Sequence, residues 1–216
     1  MRQRRTHAIL VAALASFALV RVAANADSSD GLASTRALRA RLATTGRATA
    51  SITVSLPDPL GGPARVERGR LALEPPDRMR LDFPASGERI AVRRDGGEWV
   101  QPAMRQLVRI QPEQAALASW LWDVFLRGGV DRFRERSTGN RRFTLVPRNQ
   151  KGVPDDLPGG LGIVLDRRGL PARLEIGDSA GGGASYVFEG WRFARPRGTR
   201  AFVLGAPPGY SVVDLP

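Results

Sequence analysis

Residues 65–110 alternate between apolar and charged side chains, and this alternation restricts the fold more than any other feature of the sequence. In Arg78–Phe83 the apolar residues are the second, fourth and sixth, and Glu88–Arg93 repeats the alternation. Glycine-containing turns such as 95–97 separate the segments, which is typical of hairpins. A period of two predicts strands with one apolar and one charged face. The sequence therefore predicts an antiparallel meander whose apolar face must be covered, either by helices of the chain or by a lipid.

Other segments of the chain have the same strand pattern. They lie near residues 50–56, 130–136, 141–147, 161–166, 171–176, 184–194 and 200–204. The Pro- and Gly-rich stretch 147–160 is predicted to be a long exposed loop, and glycines 181–183 a hairpin turn. We count about eleven or twelve antiparallel strands, a number at which a sheet usually curls into a barrel or splits into a sandwich.

Two segments have helical rather than strand periodicity. The first lies near residues 30–45, with Leu38 and Leu42 on one side. The second begins at Pro112 and ends before the glycine pair 128–129, both of which suit helix ends. Its apolar residues share one face, and they are Leu117, Trp120, Leu121, Val124 and Phe125. This heavy apolar face fits either ordinary core packing or a movable cover over the sheet.

The first 26 residues have the features of a secretory signal peptide. Arg2, Arg4 and Arg5 precede the apolar run 8–20, and small residues at 24–26 predict cleavage after Ala26. The Arg4-Arg5 pair leaves both general secretory and twin-arginine export open. We expect a single domain over residues 27–216, located in the periplasm, without a lipid-anchor cysteine because the chain has no cysteine.

The inventory of reactive side chains argues against catalysis. The chain has one histidine, His7, which lies inside the predicted signal peptide, and no cysteine. Triads that use histidine and zinc sites built from His and Cys are therefore excluded in the mature protein. Carboxylates remain as two candidate pairs, Glu67 with Asp82, and Asp155 with Asp156 in the predicted loop. We predict no enzymatic activity, no cofactor and no metal site.

The charge of the chain bears on its partners. Its formal net charge is +12, from 33 basic and 21 acidic residues. A basic domain can bind nucleic acid, but predicted export disfavours that partner. Anionic lipid headgroups or an acidic protein are the better candidates.

Several motifs, in order along the chain, resemble the periplasmic outer-membrane lipoprotein carriers of the LolA type. A proline precedes an arginine-rich strand that ends in an aromatic residue, a D-G hairpin carries Trp99, and an L-D-x-x-G-L-P turn comes later. These motifs are Pro76–Pro84, Asp95–Pro102 and Leu165–Leu174, followed by Asp178 with Gly181, and by Phe202 with Pro207–Val213. The resemblance covers nearly all of residues 30–214. One departure is Glu74-Pro75-Pro76, because the family has an arginine directly before the strand-initiating proline, where it contacts the helical lid.

The resemblance implies a mainly β, α+β fold: a single antiparallel sheet curled into an unclosed barrel, with helices covering its concave side. It implies a monomeric carrier that shields lipoprotein acyl chains between an inner-membrane release complex and an outer-membrane acceptor. The expected cavity lining is Ile52, Val54, Leu71, Leu73, Met79, Leu81, Phe83, Ile90, Val92 and Trp99, under a lid carrying Leu117, Trp120, Leu121, Val124 and Phe125. A lipid- or lipoprotein-sensing module and a carrier of a glycolipid or another lipid remain as alternatives.

Overall fold

Twelve strands form one continuous sheet that does not close on itself. The computed structural model describes residues 31–58, 61–112, 120–148, 161–177 and 183–214, so the predicted signal peptide and residues 155 and 156 lie outside the described residues. The strands are β1 Arg47–Leu56, β2 Arg65–Glu74, β3 Arg78–Phe83, β4 Glu88–Arg93, β5 Gly96–Gln101, β6 Gln106–Ile110, β7 Phe133–Gly139, β8 Arg142–Pro147, β9 Leu161–Leu165, β10 Pro171–Gly177, β11 Gly183–Ala194 and β12 Ser211–Asp214.

The strand order is β12-β6-β5-β4-β3-β2-β1-β11-β10-β9-β8-β7. Sequence neighbours pair antiparallel through the meander β1 to β6 and again from β7 to β11, and β1 joins the two halves by pairing with β11. The predicted unclosed sheet is confirmed. It differs in one detail, because β12 pairs parallel with β6 and makes the sheet mixed.

The strand predicted at 200–204 is wrong. Thr199–Phe202 is instead a short 3-10 helix, and the last strand is β12. The surrounding segment contains Pro196, Pro207 and Pro208, which have no backbone N–H to donate to a ladder. Residues 195–210, here called the C-terminal strap, lie instead against one face of the meander, as their hydrogen bonds show.

The two faces of the sheet are defined by the register of the strands. On one face, here called the core face, Leu71 pairs with Leu81, Leu81 with Ile90, and Ile90 with Trp99. These side chains are all buried in one hydrophobic cluster. The opposite face, here called the outer face, carries most of the charged residues of the alternation, such as Arg80, Asp82 and Arg89. The predicted division into one apolar and one charged face is therefore correct.

Two helices pack on the middle of the core face. Helix α1, Arg36–Thr45, follows a 3-10 turn and buries Leu38 and Leu42 against β1 and β11. It ends at Gly46, whose φ of 85° a glycine adopts without strain, and whose N–H donates to Leu42 O at 2.7 Å. Helix α2, Trp120–Leu126, also lies near α1. No helix within the described residues has both the length and the apolar character needed to cross a membrane.

The C-terminal strap gives the charged outer face its partners. Glu74 and Glu98 each accept two backbone N–H groups from the strap, and Arg80 and Arg93 donate to its carbonyl oxygens at 2.9 and 2.7 Å. Phe202 is fully buried within this contact. Charge-assisted hydrogen bonds are stronger than neutral ones. The charged face of β2 to β5 is thus partly an internal interface rather than a solvated surface.

Candidate functional site

The apolar core face of β3 to β6 is the candidate site. Two rows of side chains cross these strands at right angles to the chain: one runs through Leu81, Ile90, Trp99 and Val108, and the next pairs Met79 with Val92 and Gly97 with Ile110. The side chains in these rows are buried. β5 lies four strands from β1, about 19 Å along the sheet at the usual strand spacing. This part of the core face lies beside the part over β1 and β11 where helix α1 packs, and both parts belong to one hydrophobic cluster.

All ten predicted lining residues lie on the core face and are buried. Ile52 and Val54 pair with Phe188 and Tyr186 of β11, so they belong to the helix-covered middle of the sheet. Phe83 packs over Gly69, where a Cβ would lie 2.5 Å from Asp82 O and 2.8 Å from Phe83 Cδ1. The glycine in the middle of β2 therefore has a packing reason. The ten predicted lining residues are thus divided between β1, at the centre of the sheet, and β2 to β5 beside it.

One end of the core face is polar although it is buried. Glu88 lies two residues before Ile90, and Gln101 two residues after Trp99, so both fall on the core face at the same end of their antiparallel strands. Their exposed fractions are 5% and 4%. Gln106 Nε2 donates to Gln101 Oε1 from the paired position of β6. Buried polar residues beside an apolar face give this part of the molecule an amphipathic character.

A basic side chain completes this polar end. Arg65 forms an ion pair with Glu67 of the same strand, and its Nη2 lies 3.9 Å from Glu88 Oε1. Glu67 pairs with Val54 of β1, which places it on the core face as well. Because partly buried charges are stable only when paired, the two carboxylates and Arg65 form one cluster.

Trp99 carries a buried polar group whose hydrogen bonding differs from that of Trp191, another tryptophan of the core. Its side chain is 3% exposed, and its indole Nε1 has no hydrogen-bond partner among the described residues. Trp191, also buried, donates its Nε1–H to Pro171 O at 2.7 Å. Buried donors in folded proteins nearly always have an acceptor. The indole N–H of Trp99 is therefore a polar group that the described fold leaves unused.

Helix α2 covers the middle of the core face through aromatic contacts. The ring of Phe125 meets the ring of Phe188 edge-on, with centroids 5.6 Å apart, and Trp122 meets Tyr186 edge-on at 6.1 Å. Such pairs stabilise beyond the area that they bury. Burial raises the pKa of the Tyr186 hydroxyl to about 12, because an ionised phenolate would be poorly solvated there.

The candidate carboxylate pair for hydrolysis is not formed. Glu67 lies on the core face, whereas Asp82 pairs with Arg70 on the outer face and contacts Arg80 at 2.9 Å. Two carboxylates on opposite faces of a sheet cannot flank one substrate. Among the described residues, no three His, Cys, Asp or Glu side chains are grouped so as to hold a metal ion.

Comparisons with known proteins bear on the fold. No family model and no curated protein matches the sequence. An uncharacterized conserved protein from Thermus thermophilus has a similar structure, with a TM-score of 0.50, 15% identity, and coverage of 84% of this chain and 99% of that chain.

Two further solved structures are similar at a lower level. A LolA superfamily protein from Nitrosomonas europaea has a TM-score of 0.42 and 9% identity, covering 79% of this chain and 97% of that one. A putative outer membrane lipoprotein-sorting protein domain from Vibrio parahaemolyticus has a TM-score of 0.42 and 13% identity, covering 80% and 95%. The open twelve-stranded sheet with helices on one face is the architecture that the sequence resemblance implies. The chain shares this fold with the Thermus thermophilus protein.

The structure describes part of the predicted lid. Val124 and Phe125 are 1% and 0% exposed, as expected for residues facing the sheet. Leu117 lies outside the described residues, and for Trp120 and Leu121 the structure describes the helical backbone only. Trp122 is 4% exposed and packs on Tyr186, although the predicted helix face omitted it. The buried side of the helix therefore includes Trp122, which the periodicity did not predict.

The segment Glu74-Pro75-Pro76, where the sequence departs from the resemblance, has a structural role in this chain. Glu74 is fully buried on the outer face, where Arg197 N and Gly198 N donate to its carboxylate at 2.7 and 3.2 Å. Arg78 and Arg80 are also on the outer face and contact the C-terminal strap. None of the three faces helix α2, so this region anchors the strap rather than a lid.

Arg47 takes part in the electrostatic contacts around Glu74. Its Nη1 lies 3.5 Å from Glu74 Oε1. Burial lowers the pKa of Arg47, and nearby Arg197 lowers it further, while Glu74 acts in the opposite direction. The Glu74 carboxylate therefore holds together a region in which arginines repel one another.

Some residues of the site were missed from the sequence. Val108 and Ile110 continue the two apolar rows onto β6, and the alternation of Gln106–Ile110 was a sufficient signal for them. The buried polar residues Glu88 and Gln101 had no such signal, because a charged or amide side chain at a strand end normally indicates solvent.

Proposed function

We propose that this protein is a periplasmic carrier that shields the acyl chains of lipoproteins, or of a related lipid, during transfer from the inner to the outer membrane. The observation that carries the proposal is the continuous apolar core face of β3 to β6. Its rows of Leu, Ile, Val and Met side chains continue the apolar face beside β1 and β11, where helix α1 packs. The resemblance of the sequence motifs to LolA-type carriers and the predicted export segment support the same function.

The physical demand on such a carrier fits an apolar sheet face. Each acyl CH₂ transferred from water to an apolar surface is stabilised by about 0.8 kcal/mol, so an acylated protein does not cross water unaided. Contacts between acyl chains and aliphatic side chains are non-directional, and they can be exchanged for contacts with another membrane or carrier. A face built from Leu81, Ile90 and Val92 provides such contacts without a specific geometry.

The direction of transfer implies partners at both membranes. The carrier would receive its cargo from an inner-membrane release complex and deliver it to an outer-membrane acceptor, acting as a monomer. Residues 113–126 would form the cover that yields to acyl chains.

Lipid content is the first test. The full chain is expressed with its export segment, the exported form is purified without detergent, and bound lipid is extracted and identified by mass spectrometry. Uptake of an acylated lipoprotein from inner-membrane vesicles is measured in parallel. Bound acyl lipid together with lipoprotein uptake is the expected result. A bound glycolipid without lipoprotein uptake would make the protein a carrier of that lipid, and no acyl binding in either assay would refute the proposal.

A matched pair of variants locates the binding face. Leu81 on the core face and Leu107 on the outer face are both buried leucines, 6% and 3% exposed. Leu81→Ala and Leu107→Ala should each destabilise the fold by about 2–5 kcal/mol. Only Leu81→Ala should change the affinity for a fluorescent fatty acid, because only Leu81 lies on the proposed lining. Equal effects of the two variants on affinity would contradict the assignment of this face.

A further inference from the structure

Trp99 places a hydrogen-bond donor in an apolar region. Its cross-strand neighbours on the core face are Ile90 and Val108, whose side chains offer no acceptor. The indole Nε1 is buried without a partner among the described residues, as noted above. In folded proteins an unpaired buried donor calls for a specific explanation, and a bound ligand is one.

The position of Trp99 also marks a boundary. Gln101, two residues towards the strand end, belongs to the buried polar end with Glu88. Two residues towards the other end of β5 is Gly97, and its cross-strand neighbours Val92 and Ile110 continue the apolar face. Residues two apart on a strand are separated by about 6.6 Å. An amphiphile aligned with the strands would thus change from polar to apolar close to the indole ring.

The chemistry of the donor restricts the acceptor. The indole N–H is neutral, donates one hydrogen bond and cannot accept. A phosphate or carboxylate would be poorly stabilised in surroundings of Ile and Val, because a buried charge requires an opposite charge. A neutral carbonyl oxygen, by contrast, can be buried with a single donor. Among lipids, such an acceptor lies where the acyl chain joins the head group, as an ester or an amide.

We propose that the Trp99 indole N–H donates a hydrogen bond to the acyl carbonyl of the bound lipid and so fixes the depth at which acyl chains enter the core face. The chains then lie on the rows through Leu81 and Val92, and the head group lies towards Gln101 and Glu88. This inference rests on the proposed carrier function. It adds that the protein distinguishes acyl lipids from lipids of equal length that lack a carbonyl.

The test compares lipids that differ in the carbonyl. A diacylglycerol and its dialkyl ether analogue of equal chain length each compete with a fluorescent apolar probe bound to the purified protein. An N-acyl amide of the same chain length shows whether an amide carbonyl serves as well as an ester. The native protein should bind the diacylglycerol about five- to tenfold more tightly than the ether, the effect of one net hydrogen bond. Trp99→Phe should bind both lipids equally.

Two controls separate hydrogen bonding from packing. Trp191→Phe removes a buried indole whose N–H already donates to Pro171 O, and it should keep the ester preference. Replacement of Trp99 by benzothienylalanine, which has sulfur in place of the N–H, removes the donor while keeping the ring size. This second variant tests the proposal even if Trp99→Phe fails to fold, and it should also lose the ester preference.

The outcomes are distinguishable from those of the carrier proposal. If both lipids bind the native protein and the ester preference is missing, or persists without the Trp99 donor, the role of Trp99 is refuted and the carrier function stands. If neither lipid binds, the carrier function fails as well. A downfield shift of the Trp99 indole proton in the NMR spectrum, caused by the ester and not by the ether, would support the hydrogen bond directly.

Discussion

Replacing Glu74 should release the C-terminal strap and destabilise the whole domain. This carboxylate is fully buried and accepts hydrogen bonds from the backbone N–H groups of Arg197 and Gly198. Arg47 and Arg78 lie 3.5 and 3.8 Å from it. Glu74→Ala would leave two backbone donors and two partly buried guanidinium groups without this acceptor.

The expected magnitude follows from these contacts. Removing one partner of a buried ion pair costs about 3–5 kcal/mol, because the remaining charge is uncompensated. Glu74→Gln keeps the shape and one carbonyl acceptor, and should cost about 1–3 kcal/mol. With a denaturant slope of about 2 kcal/mol per molar urea for a domain of this size, Glu74→Ala should lower the urea midpoint by about 2 M.

Urea unfolding followed by circular dichroism measures these values, and amide hydrogen exchange at residues 197 and 198 reports the strap directly. Glu175→Ala is the matched control, because Glu175 forms an exposed ion pair with Arg173 at 3.4 Å. Exposed pairs contribute at most about 1 kcal/mol. If Glu74→Ala were no more destabilising than Glu175→Ala, or if exchange in the strap were unchanged, the reasoning would be refuted.

Three further predictions concern the core. The Tyr186 pKa of about 12 exceeds the unfolded value of about 10, so stability should be full below pH 10 and fall by up to about 2–3 kcal/mol as pH rises towards 12. Urea unfolding across this range should show the loss in the native protein, and a Tyr186→Phe variant with the same loss would exclude Tyr186 as its cause. Phe125→Ala should destabilise by about 3–5 kcal/mol in thermal or urea unfolding, because the ring is fully buried against Phe188; a loss below about 1 kcal/mol would mean that helix α2 is not part of the stable core. Gly69→Ala should lower the free energy of unfolding by about 1–3 kcal/mol, because the added methyl group crowds Asp82 O and Phe83. Gly177→Ala is the control and should be close to neutral, because nothing lies within 4 Å of a Cβ at that position. Equal effects of the two variants would contradict the packing role of Gly69.

Much of the sheet was predictable because its signal is local. The alternation in Arg78–Phe83 and Glu88–Arg93 predicted both strands, their faces and the burial of Met79, Leu81 and Ile90. Burial on one face imposes a period of two on the sequence, which can be seen without knowing the partner strand. Helix α1 was predicted because burial on one side of a helix also leaves a periodic pattern, here Leu38 and Leu42 four residues apart.

Features that depend on distant partners were not predictable. Residues 200–204 of the strap have a pattern that suggested a strand, but the strap's partners are Arg80, Arg93 and Glu98, about a hundred residues earlier in the chain. Similarly, Glu135 of β7 accepts hydrogen bonds from Ala33 N and Ser34 N before helix α1. A charged residue in a sequence indicates solvent unless its partner is known.

The sequence by itself determined that residues 65–110 form strands with one apolar and one charged face, because side-chain alternation is a property of each strand alone. It also limited the reactive side chains to one histidine, His7 in the predicted signal peptide, and no cysteine. Only the tertiary structure decided what covers each face: helices over β1 and β11, and the C-terminal strap over the charged side. It likewise placed Trp99 beside a buried polar end, since the neighbours of a side chain across a sheet depend on strand order and register, which hydrogen bonds between distant segments establish.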